Sequence, residues 1–300
     1  MTKRTVATIE FQTLALIGGC YGILAFSTVF LPQISVGLAF GITAFAIAFH
    51  SSLQHEALHG HPTRLAPLNE LLVFLPVGLL VPYRRFRDLH LAHHVNEVLT
   101  DPYDDPESNF LDPQVWANLP AWCRAVMRFN NTLGGRILIG PLLSSMALVR
   151  SDMREMRNGN RAVMLGWALH VLGLIPMIWW LLVISTMPVT LYLAAAYLGY
   201  GLLKIRTYLE HRARVRPRER SVVIERGGVL GFLFLNNNFH VVHHANPGMP
   251  WYRLPREYHG RRQIYLARNG GYRFGSYREV FRKYLLRAKD PVPHPLRKQG

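Results

Sequence analysis

Long stretches of the chain carry no charged side chain, and they constrain its fold more than any other feature. These stretches occupy residues 11–30, about 34–54, 163–185 and about 189–203. A helix of about 20 apolar residues crosses a hydrocarbon core of roughly 30 Å. Short uncharged turns at residues 31–33 and 186–188 join the stretches in pairs. We therefore predict an all-α integral membrane protein with four transmembrane helices arranged as two hairpins.

The first apolar stretch has a competing interpretation as a cleaved signal peptide. Its length, the lack of an evident small-residue cleavage site and the second stretch directly after it favour a membrane anchor. Two shorter apolar runs, at residues 71–81 and 137–149, contain Pro76 and Pro141 and are too short to span comfortably. We expect both runs to be interfacial or re-entrant.

Basic residues between and after the predicted hairpins indicate the orientation of the chain. Lys and Arg are retained on the cytoplasmic side of a membrane, and here they recur within residues 64–161 and 204–220. Both termini should therefore be cytoplasmic. Residues 55–162 and 204–300 should form a helical cap on that side, and residues 1–300 as a whole should be a single domain.

Net charge and cysteine content exclude several classes of protein. A formal net charge of +16 would suit nucleic-acid binding, but no basic stripe with interleaved aromatic residues accompanies it. We expect this charge to face anionic lipid and an acidic partner. Cys20 and Cys123 do not form a pair at metal or redox spacing. A disulfide and an iron-sulfur or rubredoxin-like centre are therefore not expected.

Histidines form three clusters in the parts of the chain predicted to be cytoplasmic. The clusters are HEALH with His55 and His59, HLAHH with His90, His93 and His94, and HVVHH with His240, His243 and His244. Spacings of three and four residues place each cluster on one helix face, where neutral imidazoles can bind a cation. Eight ligands exceed the need of one metal ion, so the sequence predicts two nitrogen-bound metal ions. His211, just beyond the fourth predicted span, is a ninth candidate ligand.

Two other functions compete with a two-metal enzyme. HEALH alone satisfies the H-E-x-x-H pattern of zinc proteases, in which Glu56 would be the general base. That interpretation leaves the second and third clusters without a role. A non-catalytic metal-binding or transport protein is the other alternative, and transport would need polar or ionisable residues within the spans, which offer little besides His170. We therefore favour the two-metal hypothesis over both.

The order and spacing of the clusters resemble those of the membrane fatty acid desaturase and hydroxylase superfamily, from the second span to about Pro255. In that family the boxes read H-x3-H or H-x4-H, then H-x2-HH, then H-x2-HH or Q-x2-HH. Asn238 matches an N-x-H lead-in to the third box. His211 matches by location an extra histidine at the cytoplasmic end of the fourth helix. The resemblance thus implies nine metal-binding histidines, at positions 55, 59, 90, 93, 94, 211, 240, 243 and 244.

The resemblance also implies a function. Two iron ions (Fe²⁺) held by imidazole would use O2 to oxidise a C–H bond of a lipid, most simply by desaturating a fatty acyl chain. Hydroxylation or ketolation of a carotenoid or another membrane-soluble lipid is the alternative. The sequence contains no HPGG motif of a cytochrome b5-like domain. Electrons are therefore expected from an external donor of the ferredoxin, rubredoxin or cytochrome b5 type.

Several polar residues near the boxes have both a functional and a structural interpretation. Asp101 and Asp105, with Asp104 and Glu107, could accept the second ring N–H of ligating imidazoles, but the prolines between them also suit turns. Glu56 and Asn238 are further candidates for contact with the ligands.

The other histidines and one arginine trio have weaker functional claims. His50 and His61 break the spacing of the first box, and His170 could be either functional or hydrogen-bonded across helices. We expect His259 and His294 at the surface. The arginines at positions 84, 85 and 87 could bind a substrate headgroup, but more simply anchor the chain at the cytoplasmic face.

Overall fold

The computed structural model describes residues 9–297, apart from the side chain of Asn96. The predicted location of the termini concerns residues that lie outside this range. Most of the described residues are helical, as predicted. The α-helices are α1 (Phe11–Val29), α2 (Leu31–Ile34), α3 (Val36–Leu58), α4 (Ala66–Leu72), α5 (Tyr83–His93), α6 (Pro113–Asn118), α7 (Ala121–Asn130), α8 (Leu133–Arg157), α9 (Arg161–Trp179), α10 (Val189–Thr207), α11 (Gly228–Leu233), α12 (His240–Ala245), α13 (Leu254–Gly260), α14 (Arg262–Arg268) and α15 (Tyr277–Tyr284).

Shorter elements complete the secondary structure. Three 3-10 helices cover Asn96–Val98, Pro217–Glu219 and Asn237–Phe239, and a π-helical segment, Trp180–Ile184, follows α9. Strands β1 (Val223–Arg226) and β2 (Arg273–Ser276) pair in parallel. The expectation of a wholly α-helical chain is therefore slightly wrong, because a two-stranded sheet accompanies the helices.

Four helical segments within the described residues are long and apolar enough to cross a membrane. They are Phe11–Ile34, Val36–Leu58, Leu133–Arg157 and Arg161–Ile184. Three of them cover predicted spans. The remaining predicted span, residues 189–203, lies within α10, but Lys204 and Arg206 in the last turn of this helix reduce its apolar character.

The apolar run at residues 137–149 belongs to a longer element than predicted, because it lies inside the 25-residue helix α8. Thr132 caps the start of α8, with its Oγ1 accepting a hydrogen bond from the Gly135 N–H at 3.0 Å. Pro141 has no N–H for the carbonyl of Ile137, four residues earlier. That carbonyl lies against α10, where a Cβ added to Gly201 would be 2.8 Å from its oxygen. α8 is continuous through Pro141 all the same.

The described residues form two compact units. The first comprises residues up to 87 together with residues 160–199, and the second comprises residues 88–159 together with residues from 200 onward. In the first unit α1 packs along α3, and the buried hydroxyls of Ser27 and Thr43 lie 2.9 Å apart between the two helices. Gly199 allows α10 to approach α3, because a Cβ there would lie 2.9 Å from the carbonyl oxygen of Ala44.

In the second unit the small sheet supports the third histidine cluster. β1 pairs with β2 in the register that places Ile224 opposite Phe274. The N–H of Val241, in α12, donates to the carbonyl of Val222 at 3.0 Å. Val241 and Val242 are both buried in an apolar core that includes Phe239 and Tyr258. Burial of these valines fixes which face of α12 presents the histidines.

Candidate metal centre

The second unit brings seven of the nine predicted ligands into two groups. One ring nitrogen from each of the four histidines in the first group lies within 4.8 Å of the others; the four are His93, His211, His240 and His244. In the second group the Nε2 atom of His94 lies 3.0 Å from that of His90 and 3.1 Å from that of His243. Residues that are up to 153 positions apart in sequence, from His90 to His243, therefore meet in one unit.

Local structure explains how each cluster reaches these groups. His90 and His93 lie in the last turn of α5, and His94 directly follows it. The third cluster lies on α12. His211 follows the end of α10 and forms an isolated β-bridge with Ser221. The helical spacing predicted from the sequence is thus present in the second and third clusters.

Hydrogen bonds on the outer side of the rings define which nitrogen faces inward. The Nδ1 atom of His93 lies 2.7 Å from Asp105 Oδ1, and that of His90 lies 2.9 Å from Glu107 Oε1. Carboxylates only accept, so these Nδ1 atoms carry hydrogen and donate. His240 Nδ1 donates in the same way to Asn237 Oδ1 at 3.0 Å. In the neutral form of each ring, Nε2 is thereby left with an inward-facing lone pair, as in ligating histidines.

The inward-facing atoms fit a cation. The Nε2 atom of His211 lies 2.9 Å from that of His93 and 3.1 Å from that of His240. Two nitrogens that each bind one ion at about 2.1 Å, at a right angle, are about 3.0 Å apart. His244 is buried, and neither of its ring nitrogens has a hydrogen-bond partner within the part of the chain that is described. A positive ion would satisfy the lone pairs that otherwise face one another.

The environment keeps most of these imidazoles neutral, which is the form that binds metal. Burial lowers the pKa of His211, His240 and His244 well below the usual value, and neighbouring histidines lower it further. Burial, with His90 and His93, also lowers the pKa of His94 to about 3.

His93 is the exception among these imidazoles. Burial alone would lower its pKa, but the carboxylates of Glu107 and Asp105 outweigh burial and raise the pKa of His93 to about 9. Its inner nitrogen must therefore lose a proton before it binds a cation.

The first cluster belongs to the first unit. His55 and His59 lie one turn apart at the end of α3, with ring centroids 4.8 Å apart. His55 is buried, and a carboxylate oxygen of Glu56 lies 3.9 Å from its Nδ1 atom. The predicted spacing of the first box therefore places its two histidines side by side.

The structure distinguishes among the polar residues that were predicted to support the ligands. Asp105 contacts His93 as described above. Asp101 instead accepts hydrogen bonds from the backbone N–H groups of Tyr103 and Asp104, at 2.9 and 3.1 Å, which is the turn role that the sequence also allowed. Asn238 donates to the carbonyl of Ile224 at 2.7 Å and so ties its loop to β1.

Sequence reasoning missed Asn237 and Glu210. Asn237 Nδ2 donates to Glu210 Oε1 at 3.0 Å, which turns Asn237 Oδ1 toward His240. Burial raises the pKa of Glu210. Their positions offered a signal, because Asn237 precedes His240 by three residues and Glu210 directly precedes His211.

Two histidines near the first box have partners other than the clusters. His50 Nε2 lies 3.0 Å from the hydroxyl of Tyr21. His61 Nδ1 lies 2.8 Å from a carboxylate oxygen of Glu10. Both contacts fit structural roles for these side chains.

The remaining histidines lie farther along the chain. His170 Nε2 donates to the carbonyl of Leu79 at 3.0 Å, which fits its interpretation as a hydrogen-bonded histidine. His259 is exposed, as expected. The expectation of a surface position for His294 is wrong, because this residue is buried against the loop that follows the second box.

Arg84 and Arg87, which precede the second box, form ion pairs within the first unit. Arg84 Nε lies 2.6 Å from one carboxylate oxygen of Glu70, and Arg87 Nη1 lies 3.5 Å from the other. These pairs favour an anchoring role for both residues over headgroup binding.

Comparison with known proteins gives the family. The fatty acid desaturase family model matches residues 28–276, which include all three boxes and His211. A search of curated proteins found no match. The match covers more than half of the chain and agrees with the order of the boxes. The chain therefore belongs to the fatty acid desaturase family, which makes it an oxidoreductase with histidine clusters that could bind metal.

Proposed function

We propose that this protein desaturates a fatty acyl chain, using two iron ions bound by the nine histidines, O2, and electrons from an external donor. The observation that carries the proposal is the set of inward-facing Nε2 atoms at 2.9 to 3.1 Å, in a chain of the desaturase family. Soluble di-iron proteins use Glu-x-x-His ligands, whereas imidazoles supply these clusters.

The ligand set divides between the two ions. His93, His211, His240 and His244 would bind one ion. For the other we propose His90, His94 and His243, completed by His55 and His59 of the first box. The support for including the first box is its order before the second box in a matched family and the side-by-side placement of its two rings.

The protein itself contributes to the reaction by orienting the histidine rings and by excluding water from them. Iron in these clusters would supply the redox chemistry that activates dioxygen for attack on an unactivated C–H bond. Asp105, Glu107 and Asn237 hold the Nδ1 hydrogens of their histidines, so that Nε2 is the ligand atom in each ring. Burial of these histidines keeps water from competing for the same lone pairs.

The lipid nature of the substrate follows from the family and from the long apolar helices. We propose that the clusters lie at the cytoplasmic membrane surface, where they reach a chain carbon of a membrane-embedded acyl group. Both termini would lie on the same side. The positive-inside rule supports this orientation.

Analysis of metal, oxygen and lipids tests the proposal. The purified protein should contain two irons per chain and consume O2 when a donor supplies electrons. Lipids from an expressing host should contain products that are two hydrogen atoms lighter than their precursors. A product heavier by one oxygen atom would instead show a hydroxylase, and a modified carotenoid would change the substrate class.

Single substitutions test the ligand set. His93→Ala, His211→Ala and His243→Ala should each lose bound iron and product formation. His259→Ala is the matched control, because His259 is exposed and lies outside both groups. Retention of both irons and full turnover in a ligand variant would remove that residue from the set.

The zinc-protease hypothesis has a separate test. It predicts one zinc ion per chain and peptide cleavage that is lost in Glu56→Gln. Family membership argues against it. Two irons with no peptidase activity would exclude it.

A further inference from the structure

The C-terminal segment, residues 288–297, packs against the loop that follows the second box. The N–H of Leu111 donates to the carbonyl of Val292 at 2.9 Å, and the N–H of His294 donates to the carbonyl of Leu111 at 2.8 Å. Arg297 lies 3.1 Å from a carboxylate oxygen of Asp101 and 3.2 Å from one of Asp112. The segment is therefore held at several points along the loop.

Within this loop Thr100 has a strained backbone. Its φ angle is 71°, in the left-handed region that β-branched residues rarely adopt. Such a conformation persists only where the surroundings impose it. Thr100 is also buried, so its neighbours determine whether it can relax.

The strained conformation is what connects Thr100 to a predicted metal ligand. The backbone N–H of Thr100 donates to Asp105 Oδ2 at 2.7 Å. The other carboxylate oxygen of Asp105 accepts the Nδ1 hydrogen of His93, also at 2.7 Å. A relaxed Thr100 would turn its N–H away from Asp105. The carboxylate would then keep one backbone donor, the N–H of Glu107 at 2.9 Å from Oδ1, and would be held less firmly.

His294 holds Thr100 from the C-terminal segment. The Nδ1 atom of His294 accepts a hydrogen bond from the N–H of Leu296 at 3.3 Å, so the ring hydrogen is on Nε2. Nε2 lies 3.3 Å from Thr100 Oγ1 and donates to it. On the opposite side Ser108 Oγ donates to the carbonyl of Thr100 at 2.9 Å.

We infer that His294 is a positioning residue for the metal centre. It keeps Thr100 in the conformation that fixes Asp105, and Asp105 in turn fixes the ring of His93. His294 is not itself a ligand. The inference rests on the proposed function, because it assigns His294 a role toward the metal ions.

Two substitutions at His294 test the inference in the full-length protein. His294→Ala removes the donor to Thr100, whereas His294→Gln retains an N–H donor of similar reach. In titrations of the metal-free protein with Fe²⁺, we expect His294→Ala to weaken binding roughly tenfold or more, as loss of a contact to a ligating imidazole does. We expect His294→Gln to bind close to the wild-type affinity. Leu296→Ala is the matched control, because Leu296 lies in the same segment with its side chain 47% exposed.

A third variant separates positioning from general stability. Glycine adopts positive φ without strain, so Thr100→Gly should keep near-wild-type iron affinity although it lacks the hydroxyl that contacts His294. A tenfold loss in Thr100→Gly would contradict the role of strain. Unchanged iron affinity in His294→Ala, with only a lower melting temperature of the metal-free protein, would overturn the inference. If the wild type itself bound no iron, the proposed function would fail, and the inference with it.

Discussion

Three side chains set the orientation of the imidazoles from outside the clusters. Asp105, Glu107 and Asn237 each accept the Nδ1 hydrogen of one histidine, at distances from 2.7 to 3.0 Å. A fixed Nδ1 donor leaves Nε2 as the ligand atom and stops the ring from rotating. At the scale of the residue, the proposed affinity for metal would thus depend on groups that never touch the ion.

Asp105→Asn tests this dependence. The amide is a weaker acceptor than the carboxylate and carries no charge, so His93 loses much of its orientation and basicity. We expect iron affinity to fall roughly 10-fold to 100-fold, measured by titrating the metal-free protein with Fe²⁺. Asp104→Asn should change little, because Asp104 is adjacent in sequence but exposed. Equal losses in both variants would indicate a general effect of charge on the loop.

The elements differ in how far the sequence predicts them. The boxes on α5 and α12 follow from spacings of three and four residues, which are local to one helix. The length of α8 does not, because Pro141 interrupts the apolar run and the charged residues from Arg150 onward end this run before the helix ends. The contact between Thr100 and His294 joins residues 194 positions apart, and no local pattern marks it. Asn237 lies at helical spacing from His240, yet the N-x-H pattern drew attention to Asn238.

The packing of α8 on α10 depends on a glycine. A Cβ at position 201 would lie 2.8 Å from the carbonyl oxygen of Ile137, closer than real Cβ atoms approach. Backbone would have to move, so we expect Gly201→Ala to lower the free energy of unfolding by about 1–3 kcal/mol. Thermal unfolding in detergent measures the change. Gly41→Ala is the control, since a Cβ there meets nothing within 4 Å, and a comparable loss in it would count against the packing argument.

At the scale of the whole molecule, a large positive charge accompanies helices that are apolar enough to span a membrane. The net charge is +16, while four described helical segments are apolar enough to span a membrane. The second unit carries exposed arginines at positions 214, 216 and 218. Such a surface would attract the acidic electron donor that we propose, and also anionic lipid headgroups.

Electron delivery should therefore depend on ionic strength. With a limiting acidic donor, we expect turnover to fall as salt rises through about 0.1 M, where the screening length is about 10 Å. Steady-state assays at constant lipid and O2 measure this effect. A small neutral reductant should show no such dependence. A turnover rate that stays constant across the salt range with the protein donor would exclude electrostatic docking.

Cysteine labelling tests the proposed orientation. In a Cys123→Ser background, Gln33→Cys lies at an exposed position of the short helix α2, between α1 and α3, and Val215→Cys lies in an exposed stretch of the second unit. We expect a membrane-impermeant reagent to label position 33 in intact cells and position 215 only after the cells are opened. The reverse pattern would place the histidine clusters outside the cell.

The arrangement of inward-facing nitrogens also affects which metal ion the protein would bind. Sites made of imidazole bind copper and zinc more tightly than ferrous iron, following the general order of stability among divalent ions. Rings that are already oriented by Asp105, Glu107 and Asn237 would accept these competitors as readily as iron. Whether the site binds iron must then depend on which metal ions the cell supplies. Protein produced in zinc-rich medium should contain zinc in both histidine groups, remain folded and lack oxidase activity.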